Sequence, residues 1–137
     1  MNVRPRLLLA ATLALTAGLA FVPAARADRA SRMVADWYQR YLNRYPDPSG
    51  MQDWVNKLRS GWDPLDVEAG ILSSDEYWRN AGGTPEGWVD RLFRDTTGRP
   101  PTGRDVGYWA DQVRRSGDLQ GIARAFLQSL HGDRPWY

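Results

Sequence analysis

Two pairs of carboxylates, Asp63/Asp66 and Asp75/Glu76, are the side chains of this sequence that come nearest to a reaction. Two acids flanking a glycosidic bond can hydrolyse it, one as proton donor and the other as nucleophile or base. Each pair also has a plainer reading. Asp63 stands before Pro64 at a helix start, where a carboxylate satisfies orphan amides and meets the positive end of the dipole. Asp75 and Glu76 follow Ser74 and read equally well as a capping cluster. The only histidine, His131, has no cysteine or second histidine with which to share a metal. Ser129, His131 and Asp133 can be written as a triad, but residues two apart on a helix face different directions. Beside Gly132, His131 reads as a cation at a helix end. The run "DPSG", Asp47 to Gly50, lacks the alternating acids of a calcium loop. The expectation is a protein with no catalytic residue, no cofactor and no metal.

Aromatic side chains are the sharper candidates, because Trp and Tyr stack on sugars and anchor protein interfaces. Trp62 sits beside Gly61 just before a cap, Trp78 follows "SSDEY", and Trp136 lies in the terminal "DRPWY". These three, with Tyr77, are the expected surface binding residues. Trp37, Trp54 and Trp109 fall instead on apolar helical stripes and are expected in a core.

The elements that must position these residues are helical. Val34, Trp37, Tyr38, Tyr41 and Leu42 sit at i, i+3, i+4, i+7 and i+8; Met51, Trp54, Val55 and Leu58 repeat that spacing. Leu119, Ile122, Ala123, Phe126, Leu127 and Leu130 form the cleanest stripe. No segment alternates with period two. Start signals recur: Asp47 with Pro48, Asp63 with Pro64, Thr84 with Pro85, and Asp118. Thr102 with Asp105 three later resembles a capping box.

The chain also superposes on itself. Trp54 and Trp109 are 55 positions apart, and the same offset sets Arg44 on Arg99, Pro46 on Pro101, Asp63 on Asp118 and Leu72 on Leu127. A period of this length belongs to stacked helical units. The predicted architecture is all-α: a compact bundle of about five to six helices from two tandem repeat units, about 34–77 and 89–132, preceded by a signal peptide. The first helix of the second unit, Trp88 to Thr96, is expected to pack on the first unit and join the two.

The leader is read from Arg4 and Arg6, the apolar run Leu7 to Val22, and the small residues Ala25 and Ala27 around Arg26. That run has 16 residues, short of the roughly 20 that span a bilayer. Residues 1–27 are therefore expected to be cleaved, leaving 28–137 as a single helical domain without a stable membrane span, secreted or periplasmic. With no Cys in the chain, neither a lipid-bearing cysteine nor a disulfide is available. The leader holds Arg4, Arg6 and Arg26 and no acid, so the remainder carries 15 basic against 16 acidic groups. That balance argues against a nucleic-acid partner, which would need a clustered basic face. The remaining 110 residues hold all seven Trp, and the core itself must supply the stability.

"RYPDPSGMQDW" followed by "SSDEY" resembles the bacterial domain-of-unknown-function family 4214. Arg44, Asp47, Gly50, Trp54, Ser74, Glu76 and Tyr77 carry the resemblance, and Asn43 stands where the family has Gly. The second unit keeps Gly98, Arg99, Tyr108 and Trp109, with Thr102 for the Asp and Asp105 for the Gly, and loses the Glu-Tyr. Arg44, Asp47, Gly50, Trp54, Arg99 and Trp109 are thus read as repeat-defining structural residues. The resemblance implies a helical module of secreted or surface-layer bacterial proteins, distantly like the helical domains of phycobilisome linkers. The expected function is non-catalytic protein–protein interaction or assembly in the cell envelope. Its partner would be another envelope or extracellular protein. A glycan-binding module using exposed aromatics is the alternative, and a small hydrolase comes third.

Overall fold

The computed structural model describes residues 28–132. The leader and Trp136 lie outside the described residues. Among those described there are seven α-helices and no strand: α1 (Arg29–Trp37), α2 (Pro48–Arg59), α3 (Pro64–Leu72), α4 (Asp75–Asn80), α5 (Pro85–Thr97), α6 (Gly103–Ser116) and α7 (Leu119–His131). A π-helical stretch, Tyr38–Leu42, prolongs α1. The all-α prediction holds. The helix beyond the five to six expected is α4, too short at 6 residues to show a periodic stripe. None of these helices is long and apolar enough to cross a membrane.

The boundaries follow from local chemistry. Asp28, Asp47, Asp63, Ser74, Thr84 and Asp118 each accept an amide from the first turn of the helix they precede. Thr102 and Asp105 form a complete capping box on α6. Prolines 48, 64 and 85 take the first helical position, where no N–H is required. At the other ends, Gly98 and Gly117 adopt left-handed conformations at φ 72° and 66°. Asn43 does the same at φ 53°, the one described residue other than Gly with positive φ. Asn tolerates this region because its short amide bonds locally.

Packing is organised around α3 and α7, each other's principal neighbours, while α1 pairs with α2 and α5 with α6. The starts of α2 and α6, at 48 and 103, and of α3 and α7, at 64 and 119, are displaced by one common interval. One hydrophobic cluster runs through both halves, from Val34 to Leu127. Phe93 and Phe126 meet with centroids 4.7 Å apart, and Trp109 abuts Phe126 edge-on at 5.3 Å. Charge fixes the α3–α7 register, since Arg124 of α7 bonds Asp66 (2.5 Å) and Asp63 (3.4 Å) at the start of α3.

The tryptophans need one correction. Trp37 is buried as expected, but Trp54 and Trp109 are only half-buried and pack against the core from its rim. The fully buried Trp is Trp88, whose Nε1 donates to the Leu72 carbonyl at 2.8 Å. Stripe position tells which face looks inward, not how deep the helix lies. Trp88 belongs to α5, which reaches across the junction: Arg91 also donates to the carbonyls of Asn80 (2.9 Å) and Tyr41 (3.0 Å). The second half is joined to the first by that helix, as expected of Trp88 to Thr96, and by α7.

Candidate functional site

The residues of "RYPDPSGMQDW" and "SSDEY" converge. Asn43 turns the chain out of the π-helical stretch, and Arg44 then reaches α4, donating through Nε and Nη2 to the two oxygens of Glu76 at 2.7 and 2.6 Å. Its guanidinium lies 5.1 Å from the centre of the Tyr38 ring. Asp47 accepts the Gly50 amide at 2.8 Å. Gly50 is small for a reason: a Cβ there would lie 3.1 Å from the Tyr38 hydroxyl. That hydroxyl accepts the Trp54 Nε1 hydrogen at 3.1 Å. Arg44, Tyr38, Asp47, Gly50, Trp54 and Glu76 thus form one connected cluster tying α1, α2 and α4 together.

Its electrostatics are those of a brace. The paired guanidinium holds Glu76 below the usual carboxylate range, and the Gly50 amide and Ser49 hydroxyl do the same for Asp47. A general acid or base working near neutrality needs the opposite shift. The first-half signature is occupied in holding helices.

The second half rebuilds this corner from other parts. Gly98 supplies the left-handed turn, and Arg99 lies over the Phe93 ring, 5.8 Å from its centre. Phe93 matches Tyr38 without the hydroxyl, and His131 stands where Glu76 would be, so a carboxylate clamp cannot form. Trp109 packs instead on Phe126 and Tyr108. Partial burial pushes His131 below its ordinary value.

The four expected surface aromatics separate. Trp62 is 46% exposed. It is held by backbone bonds at the end of α2, with the Lys57 ammonium 5.1 Å from its ring centre and 4.1 Å from that of Trp54. Trp78 is half-buried against the core, and Trp136 is outside the described residues. Tyr77 is a correction: it is 0% exposed, and its hydroxyl donates to Asp95 at 3.0 Å. Placed at the third position of α4, it points inward, edge-on to Tyr41. Sequence reasoning passed over Tyr45 and Tyr108, which are 73% and 57% exposed. Both flank a motif residue, Arg44 or Trp109, and a stripe count does not register a neighbour that faces outward.

Three of the four candidate carboxylates are engaged, and the fourth, Asp75, is exposed. Asp63 and Asp66 hold Arg124, and Glu76 holds Arg44. Among the described residues no three His, Asp or Glu side chains gather as a metal-binding group. Two open grooves flank α1. One, about 280 Å³, is lined by Arg29, Met33, Asp36, Trp37 and Arg40; the other, about 220 Å³, includes Ser31, Met51, Gln52, Val55 and Arg59.

A second polar group lies inside the bundle and was not foreseen. Glu68 of α3 is 3% exposed and accepts the Tyr41 hydroxyl on Oε1, while Oε2 has no hydrogen-bond partner. The signal was visible: Glu68 is the acid in the middle of the apolar run "LDVEAGIL".

The fold and these sites define an all-helical module whose motif residues serve as braces. The family model described as Domain of unknown function (DUF4214) matches residues 28–81. The match spans α1 to α4, the half in which the Arg44–Glu76 cluster is complete. No curated protein and no solved structure matches the chain.

Proposed function

We propose that this protein is a secreted or periplasmic helical module that acts by binding another envelope or extracellular protein, without catalysis. Two tandem units form it, with α1–α4 as one and α5–α7 as the other. The observation that carries the reading is the engagement of the motif: Arg44, Asp47, Trp54, Glu76 and Tyr77 are committed to one another or to Tyr38, Gly50 and Asp95. What remains for an outside molecule is a surface with Tyr45, Trp62 and Tyr108 exposed and grooves beside α1, the residue types that dominate protein contacts.

The test is co-purification from the envelope fraction of the native cell. The wild-type protein should retain a partner that a Tyr45→Ala, Trp62→Ala, Tyr108→Ala triple variant of unchanged helical circular dichroism releases. Equal retention by both would reject this surface.

One observation favours sugar binding as a second reading: Trp62 is half-exposed with a cation beside it. Saturable quenching of tryptophan fluorescence by cell-wall or exopolysaccharide fragments, lost in Trp62→Ala, would establish it.

A further inference from the structure

We propose that the Tyr41–Glu68 pair is a pH-sensitive clasp between the π-helical stretch and α3: the neutral acid is tolerated in the interior, whereas the ionised carboxylate, although it accepts the Tyr41 hydroxyl more strongly, is held away from water at a cost that loosens the packing. Geometry carries the assignment. Glu68 is 3% exposed, one oxygen accepts from a neutral phenol, and the other meets no donor. A buried carboxylate persists only with a cation or several donors around it, and without them it binds a proton.

The charged groups on the surrounding elements do not supply that compensation. On the π-helical stretch, Tyr41 donates the single bond, and the exposed Arg40, close to the Tyr41 hydroxyl, favours the Glu68 anion by less than burial disfavours it. On α7, Arg124 is taken by Asp63 and Asp66. On α4, Glu76 is clamped by Arg44, and Tyr77 gives its hydroxyl to Asp95 of α5. On α2, Lys57 lies over the rings of Trp54 and Trp62. Desolvation accordingly pushes Glu68 above the usual carboxylate range, against the lesser pull of the Tyr41 bond.

The position makes the ionisation consequential. Tyr41 is fully buried, its carbonyl accepts Arg91 from α5, and Tyr38 three residues earlier receives the Trp54 hydrogen. Separating this stretch from α3 therefore disturbs the brace of the first half and one link to the second. A raised folded-state value means the contribution is complete below the ordinary glutamate range, and is lost as pH rises through the folded value. Acid surroundings tighten the clasp; alkaline surroundings open it.

Urea unfolding and amide exchange of the purified protein between pH 5 and pH 9 test this. The wild-type folding constant should fall as pH rises across this range, relative to Glu68→Gln. Exchange at residues 38–44, corrected for intrinsic rate, should rise with pH in the wild type and stay level in Glu68→Gln. Tyr41→Phe should remain folded at pH 5 with its loss of stability extending to a higher pH, because removing the donor further disfavours the anion. A Glu68→Gln protein that follows the wild-type pH slope would overturn the proposal. So would exchange at residues 38–44 that does not change with pH in the wild type.

Discussion

Arg44 and Glu76, 32 residues apart, meet as a two-pronged ion pair joining the end of the π-helical stretch to α4. The planar guanidinium matches both carboxylate oxygens, a geometry that lysine cannot reproduce. Arg44→Lys should therefore recover only part of what Arg44→Ala loses. Both side chains are about a third exposed, so solvent screening holds the loss for Glu76→Gln to about 1 kcal/mol at neutral pH. The pH dependence has a definite sign. Because Arg44 lowers the Glu76 value, the stabilisation is present above the ordinary glutamate range and disappears as pH falls through the folded value. Urea titrations of wild type and Glu76→Gln should converge in acid, the reverse of the behaviour expected at Glu68.

Trp88 and Trp62 provide a contrast between a buried and an exposed indole. Trp88→Ala should cost about 3–5 kcal/mol, since it empties a fully buried site and leaves the Leu72 carbonyl without its donor. Trp62→Ala should change stability by less than about 1 kcal/mol. Chemical denaturation followed by far-ultraviolet circular dichroism compares them directly. Equal losses would refute the burial assigned to α5.

Helical glycines divide in the same way. Alanine favours a helix interior over glycine by about 1 kcal/mol. At Gly107 a Cβ would meet nothing within 4 Å, so Gly107→Ala should raise the melting temperature. At Gly70 the new atom would lie 2.7 Å from the Trp54 ring, and Gly70→Ala should lose about 1–3 kcal/mol by forcing that indole outward. Opposite signs from one substitution report the close approach of α2 to α3.

Asn43 occupies a left-handed position that favours glycine. Asn43→Gly should be nearly neutral, within about 0.5 kcal/mol, whereas Asn43→Val should cost about 1–2 kcal/mol through Cβ crowding. A valine variant as stable as the glycine one would show that the turn can be made another way.

Much of this was readable because it is local. Caps at Asp47, Asp63, Thr84 and Asp118 and prolines at first helical positions act within one turn, and the residue types that satisfy an orphan amide are few. The matched spacing of apolar residues likewise required α-helices, since a stripe repeating every three to four residues buries one face of nothing else. What stayed hidden depends on which elements meet. Tyr77 was read as a surface residue and Trp88 only as the start of a joining helix; the burial of both was decided when α4 and α5 packed into the bundle. Trp54 and Trp109, equally apolar in pattern, came to rest at the rim.

Residue type and spacing by themselves determined an all-helical chain, its start signals and the 55-position echo between its halves. Tertiary structure alone decided that Arg44 would find Glu76, that Tyr38 and Phe93 would make two matching corners differ, and that Glu68 would lie in the interior with one phenol for company. The physical reason is range. Helix propensity and capping are settled among neighbours a few residues apart, whereas ion pairing and desolvation depend on side chains brought together only after the chain has packed.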